Sequence, residues 1–553
     1  MAPVPFQHPL RYAPLAVVGV HLTSIIYLTY AIGASLYTSY KSLGPAQDTR
    51  SRLARRKNLI PVFLALATAA LSLATYTSVI SASLSYKTWA FEHGLDEPGS
   101  LYPDEELVLE PEDSSNVSLA YIGHWLSDTP IYYDALEIVA EKARRFWWGQ
   151  QIDLATVAFS VLLSVEGRRR KISLNAAFLG LAHLVNLSFA QNLFYLALLL
   201  TPSPLPSGGE DLELPVAPVP TSKLSQIRNK FLPPKPKDWH LHPLALLSTL
   251  ALNYGSILFL PYTADTPSFM TLVLFTRAST FLPLFLPAIA PMGWGTIQSH
   301  PHDAYSSYTT VFKTISAASF ALHAKASVLA LIYNAPDSHY HRHSTFFPWD
   351  VEERTTWERS TTAVGKVLGS LSDHPAVQAV GWDVLLCTLS LGIWAAVRAT
   401  DVQDIIKSAI PVYNFRRKIE QTLDEHTPNV SVKAESEPAD DIVSEHSMTL
   451  RRSGRRIKSR VGSIASSSGP SEEGTMNTVT PGRKRGRPKK TKQSEEEKAY
   501  EPTSSETGEL VEGDVIPADG LDWESAALTW GLVAFAGLGS ACAGVFGGEC
   551  ISR

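Results

Sequence analysis

The stretch LIPVFLALATAALSLATYTSVISASL, residues 59–84, contains no Asp, Glu, Lys, Arg or His. An α-helix rises about 1.5 Å per residue, so roughly 20 apolar residues are needed to cross a hydrocarbon core of about 30 Å. A helix buried in a soluble domain does not need an apolar run of this length. The stretch therefore predicts a membrane-spanning helix, and it decides the class of the whole chain.

Further apolar runs of similar length occur along the 553-residue chain. Together they predict an all-α, polytopic helical membrane bundle of about nine spans, within a range of eight to ten. The third run contains Gln150, Gln151 and Asp153, and the ninth is rich in Gly and Ala, so both are expected to be partly enclosed by protein. The predicted spans are 13–37, 59–84, 146–165, 172–200, 244–262, 268–292, 308–333, 377–397 and 526–546.

The composition divides the chain into a bundle, a tail and a final span. Residues 1–400 form the predicted bundle, which includes an acidic loop at 86–145, and residues 525–553 contain the last span. Residues 401–524, the tail, are rich in Ser, Glu, Lys, Pro and Thr and poor in aromatic residues. Such a segment cannot bury enough apolar surface to offset its ordering entropy, so we expect it to be disordered.

The charges of the early loops predict an orientation. Residues 41–57 and 168–171 are basic, so the positive-inside rule places them in the cytoplasm and the acidic loop in the lumen. That loop carries a glycosylation sequon at Asn116, which fits the lumenal side. The first span is expected to act as a signal anchor, which predicts a multi-pass protein of the endoplasmic reticulum or another endomembrane.

The same alternation conflicts with the charge of the tail. Nine crossings place the tail in the lumen, although it contains the densest Lys and Arg clusters of the chain. One span is therefore expected to be miscounted. Run 268–292 is favoured, because Pro283, Pro287 and Pro291 interrupt it and would fit a re-entrant segment or two half-helices.

A basic string in the tail, PGRKRGRPKKTK at 481–492, contains the core Arg485, Gly486, Arg487, Pro488. This core resembles an AT-hook, in which arginines beside a glycine enter the minor groove of A·T-rich DNA. A solvated tail that can be phosphorylated, or contact with anionic lipids worth about 1 kcal/mol per basic residue, is the simpler explanation of the string. Nucleic acid is therefore not expected as a partner.

Ionisable and amide side chains occur inside several predicted spans. A charged residue costs roughly 2.5–3.5 kcal/mol to insert, so each of these residues is a candidate functional residue. They are His21, Asp153, His183, Asn186, Gln191, Asn192, Asn253, Arg277, Lys313, His323, Lys325 and Asp383.

The two carboxylates, Asp153 and Asp383, are the principal candidates for catalysis. Simpler explanations remain open for both. Asp153 would form an ion pair with Arg277, Lys313 or Lys325, and Asp383 would complement a helix macrodipole as an N-terminal acid. No metal ion and no cofactor is predicted, because His339, His341 and His343 lack a ligand spacing and no nucleotide-binding, hydrolase or prenyl-diphosphate motif is present.

A greasy bundle with buried acids and aromatic side chains is suited to acid catalysis. An apolar cavity keeps a carboxyl group protonated, and aromatic faces stabilise carbocations while they exclude water. A lipophilic small-molecule substrate and membrane lipids are therefore the expected partners. The aromatic residues expected at the substrate cavity include Trp147, Trp148, Trp294, Trp382 and Trp394.

Two segments, RRFWWGQQIDLA at 144–155 and GWDVLLCTLSLGIWAAVRATD at 381–401, resemble fungal membrane terpene cyclases of the ascochlorin and ascofuranone type, which belong to secondary-metabolite clusters. The resemblance implies proton-initiated cyclisation of a farnesyl chain, often an epoxide, on an aromatic polyketide. It assigns proton donation or cation stabilisation to Asp153 and Asp383 alone.

Two other classes of function remain open. In a transporter or channel, His21, Asp153, His183, Lys313, His323, Lys325 and Asp383 would line a polar pathway. Inverted repeats would favour that class, and none is evident in the sequence. In a membrane scaffold without catalytic activity, the basic tail would instead tether chromatin or lipid.

Overall fold

Long helices and paired short helices make up the computed structural model. It describes residues 10–42, 50–93, 114–201, 239–297, 301–337, 341–342, 351–352, 354–398, 402–411 and 521–551. The string 481–492, with Arg485, Gly486, Arg487 and Pro488, lies outside these residues, as do His339 and His343.

The helices, in chain order, are α1 (Tyr12–Ser42), α2 (Arg50–Glu92), α3 (Ser114–Asp128), α4 (Ile131–Glu141), α5 (Ala143–Arg169), α6 (Asn175–Leu184), α7 (Leu187–Leu200), α8 (Pro243–Phe259), α9 (Phe269–Ser279), α10 (Leu282–Ile289), α11 (Pro301–Asn334), α12 (Thr356–Gly369), α13 (Pro375–Arg398), α14 (Val402–Ala409), α15 (Trp523–Ala536) and α16 (Leu538–Ile551). Two small antiparallel pairs accompany them. Strand β1 (Trp239–Leu241) pairs with β2 (Gly295–Ile297), and β3 (His341–Arg342) pairs with β4 (Val351–Glu352).

Five of the described helices are long and apolar enough to cross a membrane, namely α1, α2, α8, α11 and α13. A sixth span results if α9 and α10, which are bent by 54° at residues 280–281, are taken as one. A polytopic helical membrane bundle is therefore confirmed in outline, whereas nine spans are not. The bend falls before Pro283, within the run whose prolines predict an interruption.

The third and ninth predicted spans are enclosed by protein, as expected. Every residue of α5 from Leu154 to Ser164 is buried, and so is every residue of α16 from Leu538 to Cys550. Helix α5 runs beside α13 along its whole length. Near the start of α5, Arg144 pairs with Asp373, which lies just before α13. After the end of α5, Arg170 shares the carboxylate of Glu549 with Arg398, the last residue of α13.

The predicted fourth span, 172–200, is a helical hairpin rather than a crossing. Helix α6 begins at Asn175, whose side chain packs against Gly167 near the end of α5. At the end of α7, the carbonyl oxygens of Leu198 and Thr201 accept hydrogen bonds of 3.1 Å from Arg170, which follows α5. The α6–α7 hairpin therefore enters and leaves the bundle at one end.

The predicted final span, 526–546, is a second hairpin formed by α15 and α16. Before α15, the backbone N–H of Asp522 donates to the carbonyl oxygen of Ala396 at 3.0 Å. Near the end of α16, Glu549 accepts a bond of 3.0 Å from Nε of Arg398, two residues further along α13. Both ends of this hairpin therefore meet the same end of α13, and the turn at Gly537 (φ +82°) lies inside the bundle.

Two predicted boundaries need correction. The tail was expected to start at residue 401, but α14 is an ordered helix because it is amphipathic and buries Ile405 and Ala409, whose carbonyl oxygen accepts a bond from Ser316. The acidic segment 86–145 is not a simple loop, since it contains the end of α2 and all of α3 and α4. The backbone of Asn116 is helical, within α3.

Candidate functional site

Asp383 caps the N-terminal end of α7, which lies inside the bundle. Its two carboxylate oxygens accept hydrogen bonds from the backbone N–H groups of Leu187 (3.0 Å) and Ser188 (2.7 Å), and Asn186 caps Phe189 in the same turn. These N–H groups have no partner within the helix, and a carboxylate at a helix N-terminus also complements the macrodipole. Asp383 does act as a helix N-terminal acid, but for α7 and not for its own helix.

A buried ion cluster joins the C-terminal ends of α5, α7, α13 and α16. Glu166 accepts hydrogen bonds from Arg170 (3.0 Å) and Arg169 (2.8 Å), and Glu549 accepts bonds from Arg170 (3.2 Å) and from both Nε and Nη2 of Arg398. Two carboxylates are thus shared among the two fully buried guanidinium groups of Arg170 and Arg398 and the partly exposed one of Arg169. The cations also lie where helix C-termini present negative partial charge.

Sequence reasoning missed this cluster because its members lie just outside the predicted spans. Arg170 stood in a loop and Arg398 closed a span as an interfacial residue. Glu549 lay beyond the ninth run, in GGEC at 547–550. The available signal was a lone Glu within an apolar segment, since a buried carboxylate needs a cation as its partner.

A second group of polar side chains lies within the bundle and is only partly buried. Arg277 interacts electrostatically with Asp153, His183 and His21, and its Nη1 lies 3.5 Å from the carbonyl oxygen of His183. The ring of His21 packs against Tyr132 at 4.9 Å between centroids. We call His21, Tyr132, Asp153, His183 and Arg277 the intramembrane polar cluster. Arg277 is one of the three partners predicted for Asp153.

Asp153 differs from the other carboxylates of the enclosed helices. Helices α5, α13 and α16 carry Asp153, Glu166, Asp383 and Glu549. Glu166 and Glu549 belong to the ion cluster, and Asp383 caps α7. Within the described residues, Asp153 accepts no hydrogen bond and has no cation within 4.0 Å, and its side chain is not sealed from the exterior. It is therefore the one acid of this set without a hydrogen-bond partner among the described residues, and Arg277 interacts with it only at longer range.

The predicted tryptophans do not converge on one cavity. Trp147 and Trp148 form an edge-to-face pair near the start of α5 and donate to Ser327 (2.9 Å) and to the carbonyl oxygen of Val367 (3.2 Å). Trp394 is 0% exposed and stacks on Tyr195 at 4.3 Å. Trp382 and Trp294 are exposed, at 40% and 53%. Spacing along a helix cannot predict this dispersal, because helix rotation within the bundle determines where each ring points.

A cavity of about 470 Å³ lies between the N-terminal part of α5, the end of α8 and the second half of α11. Its size suits a drug-sized ligand. Phe146, Leu258 and Leu329 supply apolar lining, and Tyr262 and Tyr333 stand at exposed positions of the wall. The lining also includes Lys142, Arg144, Lys325, Glu141 and Gln150.

The floor of the cavity points towards Asp153. Phe146 and Gln150 line the cavity, and Asp153 follows on the same face of α5, since residues three and four apart on a helix are neighbours. Phe146 also belongs to one apolar cluster with Val273, which lies one helical turn before Arg277 on α9. The cavity and the intramembrane polar cluster are therefore consecutive along one face of α5.

Gln150 has an unusual environment at this floor. Its side chain is 3% exposed, and its Oε1 atom has no hydrogen-bond partner among the described residues. An unpaired buried acceptor costs about 1–3 kcal/mol. Gln150 also lines the cavity, so this unpaired acceptor lies close to the cavity floor.

Charged groups organise the rim of the cavity near the start of α5. One oxygen of Asp373 accepts from Arg144 (2.8 Å) and Arg145 (3.3 Å), which ties this end of α5 to the segment before α13. Burial lowers the pKa of the adjacent His374, and the charge of Arg145 lowers it further. This imidazole is therefore neutral at pH 7, and the rim keeps a positive character from its Lys and Arg residues.

The remaining predicted ionisable residues do not form a continuous pathway in the described structure. Lys313 lies near Lys407 of α14, and His323 packs between Trp147 and the turn at Gly537. Lys325 extends over the ring of Tyr262 at 4.7 Å, at the cavity. No group of three His, Cys, Asp or Glu residues that could hold a metal occurs in the described ranges.

Comparison of the chain with protein-family models, curated proteins and solved structures finds no match.

Proposed function

We propose that the protein is a membrane enzyme that cyclises a prenyl chain by proton transfer from Asp153 to a lipophilic substrate held in the cavity. The observation that carries the proposal is the position of Asp153, whose carboxyl group accepts no hydrogen bond among the described residues, one helical turn beyond the cavity floor at Gln150. A general acid must lie within hydrogen-bond reach of the atom it protonates. A substrate that passes Gln150 reaches that position.

The chemistry is an isomerisation, so no co-reactant is needed. Asp153 transfers its proton to the oxygen of an epoxide or to a terminal alkene. In the epoxide, the C–O bond breaks and its electron pair goes to the oxygen. In the alkene, the π electron pair forms the new C–H bond. In both cases the next alkene of the chain attacks the cationic carbon and closes a ring. The last cation loses a proton and becomes a neutral alkene, and that proton returns to the Asp153 carboxylate, directly or through water, so that the net reaction is an isomerisation.

Neighbouring residues support this role. When an epoxide opens, its oxygen becomes a hydroxyl group, which is the donor that the unpaired Oε1 of Gln150 lacks. Phe146 presents an aromatic face to the cavity on the same face of α5, where it can stabilise a cation and exclude water. Arg277 stabilises the Asp153 carboxylate after proton transfer.

The earlier assignment changes in two ways. Asp383 becomes a positioning residue, because its oxygens already accept two backbone hydrogen bonds. The predicted tryptophans are replaced at the cavity by Phe146, Tyr262 and Tyr333. The class of reaction stays the same, and the residues that carry it are now Phe146, Gln150 and Asp153 on one face of α5.

The test uses the purified full-length protein in nanodiscs with a farnesylated phenol whose terminal alkene is epoxidised. We expect Asp153→Asn to lower the rate of cyclisation at least about 100-fold, the usual contribution of a general acid. Gln150→Leu should lower kcat with little change in KM. Asp404→Asn, which removes a partly buried partner of Lys407 far from the cavity lining, is the matched control. Full activity of Asp153→Asn would rule the proposal out.

Transport is the second candidate, and the two hairpins favour it. Half-helices that end inside a bundle are found at the binding sites of many transporters. Here the inner ends are occupied, since Asp383 binds α7 and Gln151 accepts from Leu538 of α16 at 3.4 Å. Transport predicts movement of the intact probe across proteoliposomes without product formation. Product without net movement would support the enzyme.

A further inference from the structure

We infer that the cavity between α5, α8 and α11 selects an amphiphile with an anionic head group, either a carboxylate or a phosphate. This inference deepens the proposed function and rests on it for one point, that the ligand has a prenyl chain. It concerns the head group of the same ligand. Its evidence is separate, because it comes from the rim of the cavity rather than from Asp153.

Positive side chains outnumber negative ones at the cavity. Lys142, Arg144 and Lys325 line it, and Glu141 is its one carboxylate. Glu141 lies 3.7 Å from Arg145, and Arg144 is paired with Asp373. Among the described residues, no carboxylate lies within 4.0 Å of Lys142 or Lys325, so two lysine charges remain for a ligand.

The backbone adds to this charge. The cavity is lined by Ala143, where the long helix α5 begins, and the preceding residue makes no side-chain capping hydrogen bond. The N–H groups at a helix N-terminus attract anions through their own partial charge and through the macrodipole. Lysine charges together with open N–H groups form a site for one anionic group.

Lys325 has a geometry suited to such a head group. Its Cα lies well inside α11, but its ammonium group reaches the ring of the exposed Tyr262 at the end of α8. Tyrosines at this level are typical of the membrane interface, and a lysine that extends towards them places its charge among lipid head groups. The anion would therefore lie at the rim, between Lys325 and Lys142.

The chain of the ligand then has a defined direction. From the rim it would follow Phe146 and Leu258 towards the unpaired oxygen of Gln150. Lys142 and Asp153 are separated along α5 by about 16 Å, at about 1.5 Å per residue. Binding by the head would therefore place the far end of an extended chain at the acid.

The test is titration calorimetry of the full-length protein in neutral-lipid nanodiscs with four probes. Farnesyl phosphate and palmitate carry anionic heads, farnesol carries a neutral head, and inorganic phosphate has no chain. We expect both anionic amphiphiles to bind at least about tenfold more tightly than farnesol, and inorganic phosphate to bind weakly. Equal binding of farnesol overturns the inference, as does tight binding of inorganic phosphate, which would identify a site for a free anion.

Variants connect this selectivity with the rim. Lys325→Gln and Lys142→Gln should each weaken binding of the anionic probes about tenfold and leave farnesol unchanged. Lys313→Gln, on the same helix but outside the cavity lining, is the matched control, and an equal loss in that variant overturns the inference. Asp153→Asn should bind all probes normally, so loss of catalysis and loss of head-group recognition are separable results.

Discussion

The carboxylate of Asp383 accepts a hydrogen bond of 2.7 Å from the backbone N–H of Ser188, which lies on a different, fully buried helix. The bond fixes the inner end of α7 against α13, where no water is available to satisfy the first N–H groups of the helix. An acid in the membrane is here a structural device.

We expect Asp383→Asn to destabilise the protein by about 2 kcal/mol, because the amide keeps only one acceptor and loses the charge that strengthens both bonds. All three cysteines of the chain, Cys387, Cys542 and Cys550, are buried. The temperature at which a thiol-reactive dye labels the detergent-solubilised protein therefore reports unfolding. An unchanged labelling temperature would contradict the capping role.

The buried ion cluster predicts strong coupling between Arg398 and Glu549. Glu549→Gln leaves the guanidinium groups of Arg398 and Arg170 without their shared carboxylate, and should cost about 3–5 kcal/mol. The double variant Arg398→Met with Glu549→Met should be more stable than Glu549→Gln, because it removes both charges together. Thermal labelling of Arg398→Met, Glu549→Met and the double variant gives the coupling energy, and purely additive effects would exclude a cooperative pair.

The turn of the α15–α16 hairpin requires glycine at 537. At φ +82° and ψ 163° the backbone is in a region that only glycine adopts readily, and a Cβ atom would collide with the ring of His323. Gly537→Ala should therefore destabilise by about 1–3 kcal/mol. Gly531→Ala is the control, because a Cβ there meets nothing within 4 Å, and it should stabilise α15 by about 0.5–1 kcal/mol.

Periodicity and length predicted the class of fold and most helix positions, but not which apolar runs cross the membrane. Run 172–200 has the length of a span, and its turn depends on Asn186, which caps α7, and on Asp383, which lies far away in the sequence. A hydropathy pattern contains no information on such a partner. The pattern also does not predict the turn at Gly537, because its positive φ is required only when α16 packs beside α5.

The candidate site was partly predictable. The cost of burying a charge singled out Asp153 and Arg277, and the structure brings them into electrostatic contact. The cost of burial could not separate Asp153, which makes no hydrogen bond, from the capping acid Asp383, because both are lone carboxylates in apolar runs. Nor could it find the cavity, since Phe146, Leu258 and Leu329 meet only after three helices pack.

Nine crossings would place the basic tail in the lumen, against the positive-inside rule. The two hairpins remove this conflict, because each returns to the side from which it started. The α6–α7 hairpin returns to the end of the bundle where α5 finishes, and α14 and both ends of the α15–α16 hairpin lie at that end of α13. The segment between residues 411 and 521 therefore starts and finishes on the side of the basic residues 168–171. By the positive-inside rule we expect this end of the bundle to be cytoplasmic and the opposite end to be lumenal.

Two natural sequons test this orientation. Asn116 precedes Val117 and Ser118, and Asn429 precedes Val430 and Ser431 in the tail. We expect the first to be glycosylated and the second not, because transfer of the glycan takes place only in the lumen. Asn116→Gln should abolish the shift in electrophoretic mobility caused by endoglycosidase, and Asn429→Gln should leave it intact. A glycan on Asn429 would place the tail in the lumen, and would require one of the two hairpins to cross the membrane.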